Sequence, residues 1–216
     1  VDLGGGLGVP YHEETDPPPL PDAYAEIVRK HVRRLGVKVI FEPGRLIAGN
    51  AGILVSQVIY VKEGKARNFL IVDAAMNDLI RPTLYDAYHA VRPVHAPAQS
   101  APRMKVDVVG PVCETGDFLA QDRDLPVMKP GDLIAVGTAG AYGAVLASTY
   151  NSRLLVPEVL VKDGRFHVVR SRPSYDELIR LDSLPDWLER RCVHLGAQRT
   201  LFLIESTHRA FLKSIQ

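Results

Sequence analysis

Cysteine is scarce in this sequence, and long apolar runs are missing. Its 216 residues include only two cysteines, Cys113 and Cys192. Two cysteines cannot form the disulfide framework of a small secreted domain, so a reduced, cytoplasmic compartment is expected. No apolar run approaches the roughly 20 residues that a membrane-spanning helix needs, and the start of the chain lacks the pattern of a secretory signal. We therefore predict neither a membrane partner nor secretion.

The chain also lacks an excess of charge of either sign. It has 26 basic and 25 acidic residues, which give a formal net charge of +1. This balance gives no reason to expect nucleic acid or an anionic membrane as a partner, and no metal site is predicted. With 46% apolar residues, the chain can bury the core of one or two globular domains.

An initiator methionine is missing as well. The first three residues, Val1-Asp2-Leu3, lead directly into the glycine-rich segment Gly4–Gly8. A glycine-rich loop of this kind usually follows a buried strand, and here only three residues precede it. We therefore expect a further part of the natural protein to lie upstream of Val1.

The first 50 residues show the alternation of loops, helix and strand that is typical of an α/β barrel. Residues 20–35 predict a helix, because apolar residues recur on one face and Gly36 is a suitable stop. Residues 37–41 predict a short buried strand. The glycine-rich loop and the loop at residues 42–45 would then both lie at the carboxyl ends of strands. We therefore predict that residues 1–50 form the end of a (β/α)8 barrel.

From residue 51 the pattern changes to β-branched runs. Residues 52–61 and 67–73 predict one hairpin, and residues 154–162 and 165–170 predict another around Asp163-Gly164. Further strands are predicted over residues 105–109 and 132–136. The predicted fold class is therefore α/β plus all-β, with a β-sandwich or barrel-like domain over residues 51–188. Residues 189–216, including Cys192, are left as an unassigned tail.

Two loops of the predicted barrel could bind an anion. Consecutive glycines such as Gly5 and Gly6 let backbone amides approach a phosphate closely. The guanidinium of Arg45 can bind a phosphate or a carboxylate at two points. Each feature by itself also has a structural explanation, because glycines form tight turns and Glu42 or Arg45 can belong to a surface ion pair.

The predicted β domain holds a second group of candidates. Arg81 and Tyr85 are four residues apart, Cys113 and Glu114 share a loop, and Tyr142 stands among small residues. A single cysteine is often a buried structural residue, and a tyrosine among glycines is commonly a packing residue. Spacing alone therefore does not make these residues a site.

Taken together, the segments are far more specific. From Val1 to about Leu188, the sequence resembles the fold-type III pyridoxal-phosphate-dependent decarboxylases, and most closely their diaminopimelate branch. The matching stretches, in the order and at the separations of the family, are GGGLGVPY (4–11), EPGR (42–45), MNDLIRPTLYDAYH (76–89), GPVCETGDFLAQDR (110–123) and AGAYG (139–143). The length of the third stretch and the Pro-Tyr after GGGLG favour this branch over the ornithine and arginine decarboxylases.

The resemblance implies a site for pyridoxal 5'-phosphate. Gly5 and Gly6, with the backbone of Pro43-Gly44-Arg45, would hold the phosphate. Glu42 would pair with the pyridine nitrogen and keep it protonated, so that the ring can accept electrons. Tyr142 would touch both the cofactor and the substrate.

The resemblance also implies how an amino-acid substrate is bound. Arg45, Arg81 and Tyr85 would bind its carboxylate and distal groups, and Glu114 would take the distal ammonium. Cys113 would be the proton donor, a role that suits a thiol because its ordinary pKa of about 8.5 is close to neutral. In this family the loop of this cysteine enters the active site of the other subunit, which implies a homodimer with shared active sites.

The expected function is the decarboxylation of meso-2,6-diaminopimelate to L-lysine and carbon dioxide. The family's Schiff-base lysine matches no lysine of this chain, and is therefore expected upstream of Val1. Two alternatives stay open: a decarboxylase of arginine, ornithine or another basic amino acid, and a non-catalytic truncated homologue that keeps the dimerisation domain.

Overall fold

The computed structural model describes residues 1–12, 18, 20–95 and 100–187 of the chain. By its internal contacts, the chain divides into two compact units, residues 1–172 and residues 173–216. The predicted tail at 189–216, with Cys192, lies outside the described residues. In the second unit the described helix is Tyr175–Ile179, and it begins at Ser174, whose hydroxyl accepts from the backbone of Glu177 in a capping box.

Most of the first unit is one mixed β-sheet. The strands are β1 (Leu54–Lys62), β2 (Phe69–Val72), β3 (Val91–Pro93), β4 (Arg103–Val109), β5 (Phe118–Pro126) and β6 (Leu133–Val136). They follow the order β3-β6-β1-β2-β4-β5, with β2 and β4 parallel and the other neighbours antiparallel. The edge strands β3 and β5 approach each other, so the sheet is nearly closed. The domain is thus barrel-like, and the six strands do not form a two-sheet sandwich.

Both predicted hairpins are present. β1 pairs with β2 in antiparallel register, and β7 (Glu158–Lys162) pairs with β8 (Arg165–Arg170). The turn between β7 and β8 places Asp163 at φ 50° and Gly164 at φ 71°. Two consecutive left-handed residues match the right-handed twist of a hairpin, which is why this dipeptide is a strong turn signal.

Strands β3 and β5 are not predicted from the sequence. β3 is only three residues long and ends at Pro93. β5 has a broken alternation of buried and exposed residues, because its register with β4 shifts opposite Val106 and Val108. Asp122, within β5, has a φ of 51°. A β-bulge of this kind disrupts the two-residue period that sequence patterns depend on.

The core lies inside the curved sheet. It consists mainly of small β-branched and aliphatic side chains from β1, β2, β4, β5 and β6, as the alternation in these strands predicts. Its fully buried members include Val58, Val72, Val108, Leu119 and Ile134. Leu79 adds a side chain from the turn that precedes the short helix α3 (Arg81–Tyr85).

The predicted helix of the first segment is confirmed, but its apolar face is not buried. Helix α1 runs over Pro21–Val32 and continues as a 3-10 turn to Leu35, where Gly36 at φ 62° ends it. No residue of α1 is buried, and Ile27 is 59% exposed. Among the described residues, its recorded ring contact is that of Tyr24 with Phe41, whose ring centres are 6.0 Å apart, so the apolar face is only partly covered.

The strand predicted at residues 37–41 is wrong in extent and in burial. Only an isolated parallel bridge joins Asp2 to Ile40, supported by hydrogen bonds from the Leu3 amide to the Ile40 carbonyl at 3.0 Å and from the Ile40 amide to the Val1 carbonyl at 2.9 Å. Ile40 and Phe41 are exposed. With one neighbouring segment and a single bridge, the pairing is too short to count as a strand.

Two short helices complete the first unit, α2 (Gly44–Ala48) and α3. Among the described residues, no helix is long and apolar enough to cross a membrane.

Candidate active site

The two predicted anion-binding loops lie side by side. The Glu42 amide donates to the Gly4 carbonyl at 2.8 Å, and a Cβ on Gly5 would collide with the Glu42 carbonyl oxygen. Gly4 and Gly6 have φ values of 64° and 87°, and a Cβ on either would meet nothing within 4 Å. The glycine at position 5 is therefore required by close packing, and those at 4 and 6 by backbone conformation, with open space above them.

Helix α2, which follows the Glu42 loop, packs at its carboxyl end against the loop that carries Tyr142. A Cβ on Gly140 would collide with the carbonyl of Ala48, and its amide donates to the Gly49 carbonyl at 3.1 Å. The Ala139 amide donates to the Gly52 carbonyl at 2.9 Å. The small residues around Tyr142 are thus needed for close approach of two backbones, and Tyr142 itself, at φ 62°, remains partly exposed.

Arg81 joins three of the matching segments at one point. It is only 8% exposed, and its Nη1 donates to the Tyr11 hydroxyl at 2.9 Å. Its guanidinium carbon lies 5.1 Å from the ring centre of Tyr11 and 5.6 Å from that of Tyr142. A buried guanidinium between two aromatic rings gains cation–π attraction and keeps a fixed orientation.

His89 also contacts the Arg81 guanidinium. The sequence does not predict this role for His89. It is fully buried, its Nδ1 lies 2.9 Å from the Gly137 carbonyl and its Nε2 lies 3.4 Å from Arg81 Nη1. Burial lowers the pKa of His89, and the charge of Arg81 lowers it further against the opposing effect of the Gly137 contact. A neutral ring with its proton on Nδ1 satisfies both contacts, because Gly137 only accepts and Arg81 only donates.

The Cys113 loop is attached by Asp117 to the segment that precedes α3, and by Gly116 to α3 itself. This buried carboxylate accepts from the Met76 amide at 2.7 Å and from the Val112 amide at 2.6 Å. Burial raises the pKa of Asp117, although both amide hydrogen bonds act in the opposite direction. The Thr83 hydroxyl also donates to the Gly116 carbonyl. The segment that carries Arg81 and the segment that carries Cys113 therefore fold together.

Cys113 and Glu114 form an exposed cluster with Tyr150, another residue missed from the sequence. The Tyr150 hydroxyl donates to Glu114 Oε2 at 3.2 Å, and Cys113 is an exposed free thiol. The hydrogen bond to Glu114 is the main cause that raises the pKa of Tyr150, followed by the charge of Glu114 and a smaller effect of Cys113. Tyr150 is therefore in direct contact with Glu114, the residue next to Cys113.

The predicted residues thus fall into three places. Gly5, Gly6 and Glu42 lie at the paired loops, with Pro43, Gly44 and the half-buried Arg45 at the start of α2. Arg81 lies near the rings of both Tyr11 and Tyr142, and Tyr85 is exposed at the end of α3. Cys113 and Glu114 lie in the loop beside Tyr150. Among the described residues, no group of three or more His, Cys, Asp or Glu side chains could hold a metal ion.

Residues 15–140 of the chain match the family of pyridoxal-dependent decarboxylases, in its C-terminal sheet domain. The chain belongs to this family.

Within the family, the similar curated proteins include several diaminopimelate decarboxylases. The chain is 49% identical to the diaminopimelate decarboxylase of Zymomonas mobilis over 188 residues, which cover 87% of this chain and 44% of that protein. It superimposes with a TM-score of 0.76 on the diaminopimelate decarboxylase of Helicobacter pylori complexed with L-lysine, at 42% identity over 83% of this chain and 43% of that one. An arginine decarboxylase of Paramecium bursaria Chlorella virus shares the fold, with a TM-score of 0.59 over 70% of this chain and 40% of that one, but only 20% identity. The chain spans less than half the length of the curated relatives it matches.

Proposed function

We propose that this chain is the carboxyl-terminal part of a pyridoxal-phosphate-dependent decarboxylase that converts meso-2,6-diaminopimelate to L-lysine and carbon dioxide. The observation that carries the proposal is the buried Arg81, held between Tyr11 and Tyr142 from two other family segments. Residues 1–50 would be the end of the (β/α)8 barrel, since the parallel bridge between residues 2 and 40 is connected through helix α1.

The paired loops fit the cofactor. Nothing lies within 4 Å of a Cβ built on Gly4, Gly6 or Gly44, so an anion can approach the backbone at these glycines, and backbone amides in glycine-rich loops suit a phosphate. Glu42 presents an exposed carboxylate beside it, as a pyridine nitrogen requires. Gly5, Gly6 and residues 43–45 would hold the phosphate and Glu42 the ring nitrogen, with Tyr142 against the cofactor. The cofactor, when bound, supplies an electron sink for the pair left by carbon dioxide.

The charges of the remaining residues suit diaminopimelate, which has two carboxylates and two ammonium groups. Arg45 and Arg81 would meet the carboxylates, with Tyr85 beside them, and Glu114 would accept the ammonium that is not attached to the reacting carbon. Since the product is L-lysine, the carboxylate lost is that of the D-centre. The ammonium held by Glu114 is therefore that of the L-centre, which becomes the α-ammonium of lysine.

Cys113 would return a proton from its Sγ to the carbon that has lost carbon dioxide. An exposed loop can carry this thiol into a neighbouring subunit, so we propose a homodimer in which each Cys113 loop serves the partner's site. The role needs a free thiol, and this requirement favours a cytoplasmic enzyme.

Steady-state kinetics of the whole protein test the proposal. We expect kcat/KM for meso-diaminopimelate to exceed that for ornithine, arginine or lysine by about 30-fold or more, because an unpaired buried charge costs roughly 2–5 kcal/mol. Arg81→Lys, which keeps the charge but loses the planar fork, should lower kcat/KM for diaminopimelate. Arg103→Lys is the control, since Arg103 forms an exposed ion pair with Asp124. Equal rates on ornithine would refute the assignment.

A further inference from the structure

Tyr150 is not among the residues that the proposed function uses, yet it touches one of them. Its hydroxyl donates to Glu114 Oε2, while the Gly116 amide lies 3.4 Å from Oε1. Both contacts come from within the same chain, so the carboxylate is oriented before any ligand arrives. Glu114 is nevertheless exposed, and each of its oxygens keeps a lone pair for a further donor.

The loop that carries Tyr150 is fastened at both ends to one buried side chain. Asn77 is only 2% exposed. Its Nδ2 donates to the Ser148 carbonyl at 3.0 Å, and its Oδ1 accepts from Arg153 Nε at 2.8 Å. The Ser148 amide donates back to the Asn77 carbonyl at 2.9 Å. The two ends of the segment 148–153 are therefore held at a fixed separation.

Arg153 strengthens the second attachment. Its Nη2 donates to the Asp73 carbonyl at 2.6 Å and lies 3.2 Å from Oδ2 of Asp78. The Asp78 side chain is fully buried and also accepts from the Ala75 amide at 2.9 Å. A buried carboxylate of this kind keeps a guanidinium in place, because without Arg153 the Asp78 charge would be left unpaired in the interior.

The backbone between these attachments is strained. Asn151 and Ser152, which follow Tyr150 directly, have φ values of 58° and 54°. Two consecutive non-glycine residues in the left-handed region are unfavourable and persist only where surrounding contacts enforce them. The contacts of Asn77 and Arg153 supply that enforcement, and the conformation they enforce is the one that points the phenol at Glu114.

From this geometry we propose that Tyr150 is a positioning residue for substrate recognition. It holds the Glu114 carboxylate in the orientation that accepts the L-centre ammonium of the substrate. This inference rests on the proposed function, and it adds a role for Asn77, Asp78 and Arg153 as the frame of the Tyr150 loop. The raised pKa of Tyr150 agrees with it, because the phenol stays protonated and remains a donor.

Binding of two ligands to the whole holoenzyme tests the proposal. L-lysine and 6-aminohexanoate share the terminal amine and the carboxylate, and differ only in the α-ammonium assigned to Glu114. Tyr150→Phe keeps the ring and removes the hydroxyl. We expect it to weaken inhibition by L-lysine about 10-fold, the scale of a hydrogen bond to a charged group, and to leave 6-aminohexanoate within about twofold. KM for diaminopimelate should rise in parallel with lysine, with kcat nearly unchanged.

Two further variants separate positioning from general damage. Tyr60→Phe, on the exposed side of β1, is the matched control and should change neither ligand. In a Glu114→Gln background, Tyr150→Phe should add less than about twofold, because the group through which it acts is already altered.

The outcomes also distinguish this inference from the function it rests on. If the wild-type enzyme binds lysine more tightly than 6-aminohexanoate and Tyr150→Phe keeps that preference, Tyr150 has no positioning role and the proposed function stands. Equal weakening of both ligands would likewise overturn the positioning role. If the wild-type enzyme neither acts on diaminopimelate nor prefers lysine, both proposals fall.

Discussion

The amino-terminal segment, residues 1–52, and the sheet that follows it differ sharply in how they bury apolar side chains. The sheet and the loops that connect or follow its strands contribute the other buried hydrophobic residues of the described chain, whereas the segment contributes only Val9. Helix α1 buries nothing, and Ile27, Leu35, Ile40 and Phe41 are all exposed. The sheet encloses its own core, whereas the apolar face of the amphipathic helix is only partly covered.

The two regions also divide the candidate site between them. The glycine-rich loop and Glu42, proposed to hold the cofactor, belong to the poorly buried segment. Arg81, Cys113 and Glu114, proposed to act on the substrate, are fastened to the sheet. The hydrogen bond between Tyr11 and Arg81 connects the two. Substitutions in the two regions should therefore produce different kinds of defect.

The largest effect is expected from Cys113→Ala in the whole enzyme. Loss of general acid catalysis should lower kcat by about 10²- to 10⁴-fold. Cofactor retention should be unchanged, because Cys113 belongs to the sheet region and not to the glycine-rich loop. Turnover and bound cofactor are measured on the same preparation. Wild-type turnover with clean decarboxylation would return Cys113 to the class of structural cysteines.

Glu42→Ala is the substitution in the amino-terminal segment that corresponds to Cys113→Ala in the sheet region. It should weaken catalysis strongly while leaving the thermal melt of the protein near its wild-type position, because Glu42 is exposed and its proposed role is to act on the charge of the cofactor ring. Thermal melting and activity per folded molecule check this. A collapsed melt with normal activity per folded molecule would contradict the assigned role.

Leu119→Ala tests whether the sheet has a tightly packed core. Leu119 is fully buried in the core, so the substitution should lower the free energy of unfolding by about 2–5 kcal/mol, from lost apolar burial and the cavity left behind. Urea unfolding of the 216-residue chain measures this loss. A change below about 1 kcal/mol would mean that the sheet does not form a tightly packed core.

His89 should make stability depend on pH. Burial lowers the pKa of His89 in the folded state below its ordinary value of 6.5. Below that value the unfolded chain binds a proton that the folded chain resists, so stability is fully present above 6.5 and falls as the pH drops toward the lowered pKa. His89→Asn, which keeps a donor for Gly137, should show a smaller loss of unfolding free energy between pH 7.5 and 5.5. An identical pH dependence in both proteins would show that His89 does not titrate in this way.

The smallest effect is expected from Ile27→Ala. In the 216-residue chain this exposed side chain should change the free energy of unfolding by less than about 0.5 kcal/mol, as surface substitutions usually do. A substantially larger loss for the same variant in the whole protein would show that another part of that protein covers α1. A large loss in the 216-residue chain itself would break the comparison between the two regions.

Local patterns predict much of this structure. The helix at α1 follows from its apolar period and from Gly36, and the two hairpins follow from β-branched runs that flank turn residues. These features depend on residues close together in the chain, where backbone preferences act directly. The short strand β3 and the bulged strand β5 escape prediction, because their pairing is decided by neighbours far away in the sequence.

The same limit applies to the site. The sequence by itself determined which residue types were available: a glycine-rich loop, the Glu42-to-Arg45 turn, Arg81 and the thiol of Cys113, in segments that resemble one family. Only the tertiary structure decided that His89 and Tyr11 hold Arg81, and that Asn77 and Arg153 present Tyr150 to Glu114. The physical reason is that a buried polar group must form its hydrogen bonds with whatever group the fold places beside it. The residues adjacent to His89 or Tyr150 in the sequence do not indicate which group that is.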